Sequence, residues 1–192
     1  MINVTHWPVV IYANYRTGST ALGYWLAQKY NCKYFNEPIY RKPVFDEFIE
    51  HYKSGNTQYV IKFMGDHILE DDLYRNLLTT DAFKIRLYRE NKVEQIASYY
   101  VSAVTKRWRT TAEDYIEDYN LPLDIDMLKE SIRRITYNDR LLDESAINFD
   151  LTCNYESLGF LDDVHLTLTK QPTNIKTIHS LTRSLLNSKL KT

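Results

Sequence analysis

The sequence predicts an α/β protein, folded as a three-layer sandwich with a mainly parallel β-sheet. Short β-rich runs alternate with amphipathic stretches of helical period along the 192 residues. That alternation is typical of parallel sheets whose crossover connections are helices. The first run, Val9–Ala13, passes through a short polar turn directly into an amphipathic stretch. Because ligands of such sheets bind at the carboxyl ends of the strands, we expect functional residues in the turns that follow them.

Five runs are predicted to be strands, since they are rich in β-branched and aromatic residues and are bounded by turn residues. They are Val9–Ala13, Cys32–Phe35, Tyr59–Phe63, Phe83–Tyr88 and Phe149–Asn154. Helices are predicted where apolar residues recur every three or four positions. They are the stretch from Thr20 to Tyr30, Val44–Tyr52, Leu69–Leu78, Asn91–Arg107, the stretch that Asp124 caps through about Ser145, and Ile175–Leu190. Thr110 and Glu113 form a capping-box pattern that predicts one more helix.

Composition limits the functional classes. Hydrophobic residues make up 44% of the chain and charged residues 26%, which predicts a real core in one domain over residues 1–192. A formal net charge of −1 gives no argument for nucleic acid or membrane binding, so an anion site has to be built locally. Cys32 and Cys153 are too few for a disulfide scaffold. No run approaches the ~20 apolar residues of a membrane span, and no signal peptide is evident, so we expect a soluble, cytoplasmic protein.

The turn after the first strand has the composition of a phosphate-binding loop. Aligned with the Walker pattern G-x-x-x-x-G-K-[ST], it reads ANYRTGST. Gly18 and Thr20 match, whereas Ala13 replaces the first glycine and Ser19 replaces the lysine. Arg16 supplies a cation earlier in the loop. Amides, hydroxyls and a guanidinium at a helix start suit a phosphate monoester. The missing lysine, and the lack of an apolar strand ending in a Walker-B aspartate, argue against magnesium–ATP chemistry.

The segment Arg16-Thr17-Gly18-Ser19-Thr20 resembles the 5′-phosphosulfate loop of sulfotransferases, with Tyr15 where that family usually has proline. The resemblance implies a P-loop-NTPase-like sulfotransferase fold and metal-independent transfer of a sulfuryl group from 3′-phosphoadenosine-5′-phosphosulfate (PAPS) to a hydroxyl. Adenosine 3′,5′-bisphosphate is then the product. Residues 16–20 are expected to bind this donor, and Arg16 to act in catalysis as well. The order of the motifs is most similar to bacterial trehalose-type and carbohydrate sulfotransferases.

The resemblance also implies a second anion site, for the 3′-phosphate of the donor. The family builds it from an arginine at a strand end and a serine on the next helix, and Arg89 and Ser98 match. Arg89 and Ser98 lie nine residues apart, whereas the family usually spaces this pair by eight residues. The position eight residues before Ser98 is Glu90 here. A one-residue bulge at the strand end, or a contribution from Arg86, would reconcile the spacing. Ser102, one helical turn further, is a weaker candidate.

Two segments near the C-terminus complete the resemblance. Lys170-Gln171 is similar to a basic loop that closes over the nucleotide, although a solvated basic turn explains Lys170 equally well. The segment Asn154-Tyr155-Glu156-Ser157-Leu158 resembles a mainly structural turn after the family's late strand. We therefore assign chemistry to Lys170 and Gln171, as donor-binding residues, and none to the tyrosine–glutamate turn.

Transfer to a hydroxyl needs a base on the acceptor and positive charge around the transferred group. Glu37, which precedes Pro38 after the second strand, resembles the catalytic glutamate of trehalose-type sulfotransferases. His67, after the third strand, is the alternative base. Lys62, at the end of the third strand, resembles a lysine that stabilises the bridging oxygen as the product departs. A lysine that extends its stem along the sheet edge to solvent is the alternative interpretation of Lys62.

The acceptor is predicted to be a carbohydrate or glycolipid hydroxyl, although peptidyl tyrosine or a small phenol stays open. Its wall is expected in Pro38–Tyr52 and Arg107–Leu123, where Trp108, Tyr115 and Tyr119 could stack on a sugar ring. A homodimer through an exposed aromatic helix is left open. Two other functions compete with a sulfotransferase. One is a P-loop kinase or nucleotide hydrolase, and the other is a nucleotide- or phosphate-binding protein without catalysis.

Overall fold

The computed structural model describes residues 2–38, 42–69, 81–108, 120–159 and 172–189. Five strands within these ranges form one sheet, and each of their pairings is parallel. The strands are β1 (Val9–Ala13), β2 (Lys33–Asn36), β3 (Tyr59–Met64), β4 (Phe83–Tyr88) and β5 (Leu151–Asn154). Their order across the sheet is β2-β3-β1-β4-β5. The predicted α/β class with a parallel sheet is confirmed.

Five helices are described between and after the strands. They are α1 (Ser19–Tyr30), α2 (Lys42–Lys53), α3 (Lys92–Thr105), α4 (Ile125–Glu144) and α5 (Ile175–Lys189). Each differs from its predicted bounds by only one or two residues at an end. Asp124 caps α4 as predicted, because its side chain accepts a hydrogen bond from the Met127 N–H at 2.9 Å. Most of the predicted Leu69–Leu78 helix and the capping box at Thr110 lie outside the described residues.

The central strand explains the three layers. Every residue of β1 is buried, as expected for a parallel strand that is covered on both faces. On one face, Ile11 packs in a cluster with Leu22 and Leu26 of α1. On the other face, Tyr12 packs in a cluster with Phe48 of α2 and Leu142 of α4. The sheet therefore lies between α1 on one side and α2 with α4 on the other.

The strand order predicts a ligand-binding position at the carboxyl end of β1. The chain continues from β1 to β2 on one side of the sheet, whereas β4 and β5 lie on the other side, so β1 is next to the point where the winding reverses. The loop between β1 and α1 occupies this point, flanked by the ends of β3 and β4. In the described part of the chain, no helix combines the length and apolar character that crossing a bilayer requires.

Candidate functional site

The loop between β1 and α1 has the backbone geometry of an anion-binding concavity. Arg16 (φ 60°) and Gly18 (φ 75°) are both left-handed, and alternating backbone hands turn successive N–H groups toward one side. Gly18 precedes α1 without a side-chain hydrogen bond to the first turn of the helix. The N–H groups of that turn therefore stay available to a ligand, and the helix dipole favours a negative one. A left-handed arginine costs about 1 kcal/mol or more, and strain of this kind clusters at functional sites.

Buried hydrogen bonds fix the start of this loop. The side-chain nitrogen of Asn14 donates to the Ile135 carbonyl of α4 at 2.7 Å, and its oxygen accepts from the Tyr15 N–H at 2.7 Å. The Thr17 hydroxyl donates to the Asn14 carbonyl at 2.9 Å, and Thr17 is completely buried. Thr17 was predicted to bind the donor, yet its hydroxyl serves the loop itself. A contribution of Thr17 to a ligand would have to come from its backbone N–H.

Tyr15, which stands where the sulfotransferase loop usually has proline, anchors the loop sideways. Its hydroxyl donates to Asp66 Oδ2 at 2.8 Å, and its carbonyl accepts from Gln95 Nε2 of α3 at 2.7 Å. Its ring packs edge-on against Tyr99, with centroids 5.3 Å apart. These contacts attach the loop to α3 and to the turn after β3, so the position of Tyr15 is structural.

The structure brings the predicted residues Arg16, Arg89 and Ser98 together. Arg16 Nε donates to Ser98 Oγ at 2.9 Å, and its NH1 donates to the Trp108 carbonyl at 3.0 Å. Arg89 NH1 lies 3.4 Å from the Arg16 carbonyl. Burial lowers the pKa of Arg16, and the nearby charge of Arg89 lowers it further. No carboxylate of the described residues forms an ion pair with Arg16, so its positive charge is not compensated.

Arg89 also has partners outside the loop. Its NH2 donates to Glu94 at 2.7 Å, its Nε lies 3.6 Å from Glu156, and its guanidinium stands 4.9 Å from the ring centre of Tyr155. Glu156 also accepts the backbone N–H groups of Glu90 and Asn91 at 3.1 and 3.0 Å. Burial would raise the pKa of Glu156, but those hydrogen bonds and the charge of Arg89 lower it. The turn that we assigned no chemistry therefore orients Arg89.

The other residues considered for the second anion site have partners of their own elsewhere in the structure. Arg86 forms an ion pair with Asp143 of α4, because its register neighbour is Tyr12 and it shares the face that α4 covers. The Ser102 hydroxyl donates to the Ser98 carbonyl at 3.0 Å within α3. Glu90 accepts from Asn154 Nδ2 at 2.8 Å. The suggestion that Arg86 compensates for the nine-residue spacing was wrong.

On the β3 side of the loop, Lys62 joins Glu37 to Thr20. Lys62 Nζ lies 2.5 Å from Glu37 Oε1 and donates to Thr20 Oγ1 at 2.9 Å. The Lys62 side chain is only 3% exposed, whereas that of Glu37 is 28% exposed. The alternative interpretation of Lys62, with its ammonium in solvent, was wrong. An ammonium group therefore reaches the last hydroxyl of the loop from the neighbouring strand, although the loop itself has no lysine.

His67, the alternative base, is completely buried in a 3₁₀ turn after β3 (Gly65–Leu69). Its Nδ1 accepts the Met64 N–H at 3.2 Å, so the ring proton is on Nε2. Burial lowers the pKa of His67 to about 4; Asp66 and Glu37 oppose this shift and Lys62 adds to it. A neutral, weakly basic and inaccessible imidazole is poorly suited to take a proton from an acceptor.

Four of the other predicted site residues lie outside the described ranges; they are Lys170, Gln171, Tyr115 and Tyr119. Trp108 is described and is 45% exposed. Its ring packs edge-on against Tyr99, with centroids 5.2 Å apart, next to the carbonyl that Arg16 contacts. Trp108 is thus a neighbour of the loop and not a core residue.

The comparisons with known proteins concern the fold. No protein-family model matches the chain, and curated protein sequences give no match. Among solved structures, shikimate kinase from Bacteroides thetaiotaomicron is 14% identical with a TM-score of 0.47, covering 93% of this chain and 98% of that chain. A "putative kinase" from Chloroflexus aurantiacus is 15% identical with a TM-score of 0.43, covering 96% and 98%. An uncharacterised protein from Eubacterium ventriosum is 11% identical with a TM-score of 0.43, covering 94% and 98%. With TM-scores below 0.5, these similarities carry no argument about substrate or reaction. The α/β class with a P-loop-like loop stands on the parallel sheet and the loop itself.

Proposed function

We propose that the chain is a group-transfer enzyme that binds a nucleotide donor at the loop between β1 and α1. We further propose that it moves a sulfuryl group from PAPS to an acceptor hydroxyl. The main support is the contact of Lys62 with both Glu37 and Thr20. One cation thereby connects a candidate base to the end of a candidate phosphate loop.

Two groups of donors match the two anionic ends of PAPS. The N–H groups of the loop and the Arg16 guanidinium suit the 5′-phosphosulfate. Arg89 and Ser98 suit the 3′-phosphate, and the bond between Arg16 and Ser98 means that the two groups adjoin. Ser19 and Gly18 would contribute through the backbone at the start of α1. Lys170 and Gln171 remain expectations from the resemblance alone.

The proposed reaction is an in-line transfer. The acceptor oxygen forms a bond to sulfur, and the bond from sulfur to the bridging oxygen of the 5′-phosphate breaks. Glu37 takes the acceptor proton, and adenosine 3′,5′-bisphosphate leaves with the electron pair. Arg16 stabilises the charge on the transferred group and Lys62 the charge on the leaving oxygen. Lys62 also pairs with Glu37. The negative charge that develops on the leaving oxygen therefore draws the Lys62 ammonium away from Glu37 while the Glu37 carboxylate takes the acceptor proton.

Phosphoryl transfer by a kinase is the second candidate, and it agrees with the kinases among the structural neighbours in fold only. Magnesium in such enzymes coordinates the loop's final hydroxyl at about 2 Å. Here that hydroxyl, Thr20 Oγ1, already has the Lys62 ammonium at 2.9 Å. A divalent cation at the same oxygen would be repelled by this charge, which favours the metal-independent reaction. A binding protein without catalysis would leave the contact between Glu37 and Lys62 unused.

Calorimetry with adenosine 3′,5′-bisphosphate, and with ADP in the presence and absence of magnesium, separates these candidates. We expect the bisphosphate to bind without magnesium, and Arg16→Ala to weaken it about tenfold or more. Arg133→Ala is the control, because Arg133 is an exposed α4 residue that pairs with Glu130. Tighter, magnesium-dependent binding of ADP would support the kinase and contradict the sulfotransferase.

Catalysis is tested by transfer of radiolabelled sulfate from PAPS to a saccharide panel. Glu37→Gln should abolish transfer and keep the affinity for the bisphosphate. Full turnover of Glu37→Gln would remove Glu37 as the base. Bisphosphate binding without transfer to any acceptor would favour the non-catalytic binding protein.

A further inference from the structure

A buried glutamine of α3 holds the backbone of the loop between β1 and α1. Gln95 is completely buried, and its side-chain nitrogen donates to the Tyr15 carbonyl at 2.7 Å. Ser98 and Tyr99 follow three and four residues later, so they lie on the same face of α3. They contact the Arg16 guanidinium and the Tyr15 ring. One face of α3 therefore meets the loop, and Gln95 contacts its main chain.

The orientation of the Gln95 amide is fixed by its two partners. Its side-chain oxygen accepts from Lys92 Nζ at 3.1 Å, and Lys92 Nζ also lies 2.8 Å from Asp139 Oδ2 of α4. An ammonium group only donates and a carbonyl only accepts, so the amide directs its oxygen to Lys92 and its nitrogen to Tyr15. An ionised glutamate at this position would have no hydrogen to donate to the carbonyl. The contacts thus form a chain from α4 to the loop, through Asp139, Lys92 and Gln95.

The hydrogen bond at the Tyr15 carbonyl determines where the Arg16 N–H points. The peptide group between the two residues is planar and trans, so its N–H points opposite to its C=O. This N–H is the first of the amides that the left-handed Arg16 (φ 60°) turns toward the anion-binding concavity. The left-handed conformation costs about 1 kcal/mol or more. Loss of the bond to Gln95 would let the peptide rotate, which relieves this strain and turns the N–H away from a ligand.

We propose that Gln95 is a positioning residue of the anion site and that Lys92 and Asp139 fix its amide; this rests on the proposed function above. Gln95 acts through the peptide between Tyr15 and Arg16, whose N–H contacts the anion. Because rotation of this peptide relieves strain, loss of the hydrogen bond should reduce anion affinity more than it reduces the stability of the fold. A merely structural hydrogen bond would instead affect stability and leave the affinity unchanged.

The test uses the full chain, with adenosine 3′,5′-bisphosphate and ADP as probes in calorimetry and NMR. Gln95→Met keeps most of the side-chain volume and removes both hydrogen bonds. We expect it to weaken bisphosphate binding about three- to tenfold. The Arg16 amide proton, which the bisphosphate should shift in the unmodified chain, should shift less in the variant. Ser131→Ala is the matched control, because Ser131 is completely buried and donates to the Met127 carbonyl inside α4. It should change neither the affinity nor the Arg16 signal, whatever its effect on stability.

A second pair of variants covers the case in which Gln95→Met does not fold. Lys92→Met and Lys129→Met each remove a lysine that pairs with an aspartate, and the Lys92 ammonium contacts Gln95 as well. The two lysine side chains are 37% and 55% exposed, so both variants should fold. Lys92→Met should weaken bisphosphate binding about threefold, and Lys129→Met should leave it unchanged.

The possible results separate the positioning role from the proposed donor. Unchanged affinity in Gln95→Met, or in Lys92→Met where Gln95→Met does not fold, overturns the positioning role and keeps the donor. Weaker binding with an Arg16 amide proton that shifts as in the unmodified chain also overturns the positioning role. Binding of ADP that Gln95→Met weakens, without binding of the bisphosphate, overturns the donor and keeps the positioning role. A chain that binds neither compound overturns both.

Discussion

Replacing Lys62 by methionine tests whether the site is organised by one buried ammonium group. Methionine keeps most of the volume of the side chain and removes its charge, so packing changes little. In the variant, the Glu37 carboxylate loses the Nζ that lies 2.5 Å away, and Thr20 loses a donor at 2.9 Å. A destabilisation beyond the packing cost therefore measures the loss of the Lys62 ammonium from Glu37 and Thr20.

The size of this effect can be bounded from the geometry. At 2.5 Å, two unit charges attract each other by about 7 kcal/mol at an effective dielectric constant of 20. Both groups lose hydration on folding, since their side chains are only 3% and 28% exposed, and this loss offsets much of the attraction. Glu37 keeps some contact with water, which lowers the cost of losing Lys62. We therefore expect Lys62→Met to reduce the free energy of unfolding by about 2–3 kcal/mol.

The assay is urea unfolding at pH 7 for the unmodified chain, Lys62→Met, Glu37→Gln and the double variant. The double variant should be more stable than Lys62→Met alone, because the Glu37 carboxylate that lost the Lys62 ammonium is then removed as well, and the coupling energy should be about 2 kcal/mol. The pair of Lys33 and Glu47 is the control; its N···O distance is 2.9 Å but its side chains are 54% and 55% exposed. Its coupling should stay below about 1 kcal/mol. Additive effects of the two changes at Lys62 and Glu37 would refute the arrangement from which the proposed mechanism is argued.

Three further predictions concern the frame around the site. Gly23→Ala should lower the free energy of unfolding by about 2 kcal/mol, because the added Cβ meets the Tyr34 ring. Gly159→Ala is the control; it has open space around it and should change the free energy of unfolding by less than about 0.5 kcal/mol. Equal urea midpoints for the two variants would contradict the close contact at Gly23. The pKa of His67 is lowered to about 4, so the unfolded chain binds its proton more readily and stability should fall between pH 6.5 and 4, by on the order of 3 kcal/mol. Urea titrations over that pH range should show that His67→Gln loses this dependence of stability on pH. The same pH dependence in His67→Gln and in the unmodified chain would mean that the histidine is accessible. Asp124→Ala removes the N-cap of α4 and should cost about 1 kcal/mol in the same titration, and no loss would mean that water replaces the cap.

The strands and helices were predictable because their signals are local. Val9–Ala13 and Phe83–Tyr88 were predicted with the bounds that the structure has, since strands of a covered parallel sheet leave apolar or alternating runs in the sequence. β5 begins at Leu151, two residues later than predicted. Asp150 nevertheless exchanges two hydrogen bonds with Lys84 of β4, so pairing starts just before the regular ladder. The fold class therefore followed from the hydrophobic period of each segment and from the order of strands and helices along the chain.

The contacts of the site were less predictable, because they join distant positions. The bond between Arg16 and Ser98 spans 82 residues and depends on how α3 docks beside the loop. The packing of Tyr24 on Tyr34 depends on the close approach of α1 to β2. Gly23 is the only feature of the sequence that indicates this approach. Glu94, one carboxylate that contacts Arg89, gave no sequence signal, because glutamates on helix surfaces are common; the other, Glu156, lies in a turn that the sequence marked only as structural. Motif order thus identified the cations of the site but not their partners.

The partners decide which cation should govern anion binding. Arg89 already contacts Glu94 and Glu156, so a phosphate has to compete with two carboxylates for its guanidinium. Arg16 has neutral partners, the Ser98 hydroxyl and the Trp108 carbonyl, and a cation nearby that lowers its pKa. An anion at Arg16 therefore gains attraction and relieves repulsion between the two guanidinium groups without displacing a carboxylate. The affinity for adenosine 3′,5′-bisphosphate should consequently depend more on Arg16 than on Arg89. The position of Arg89 at the end of a strand would by itself suggest the opposite order.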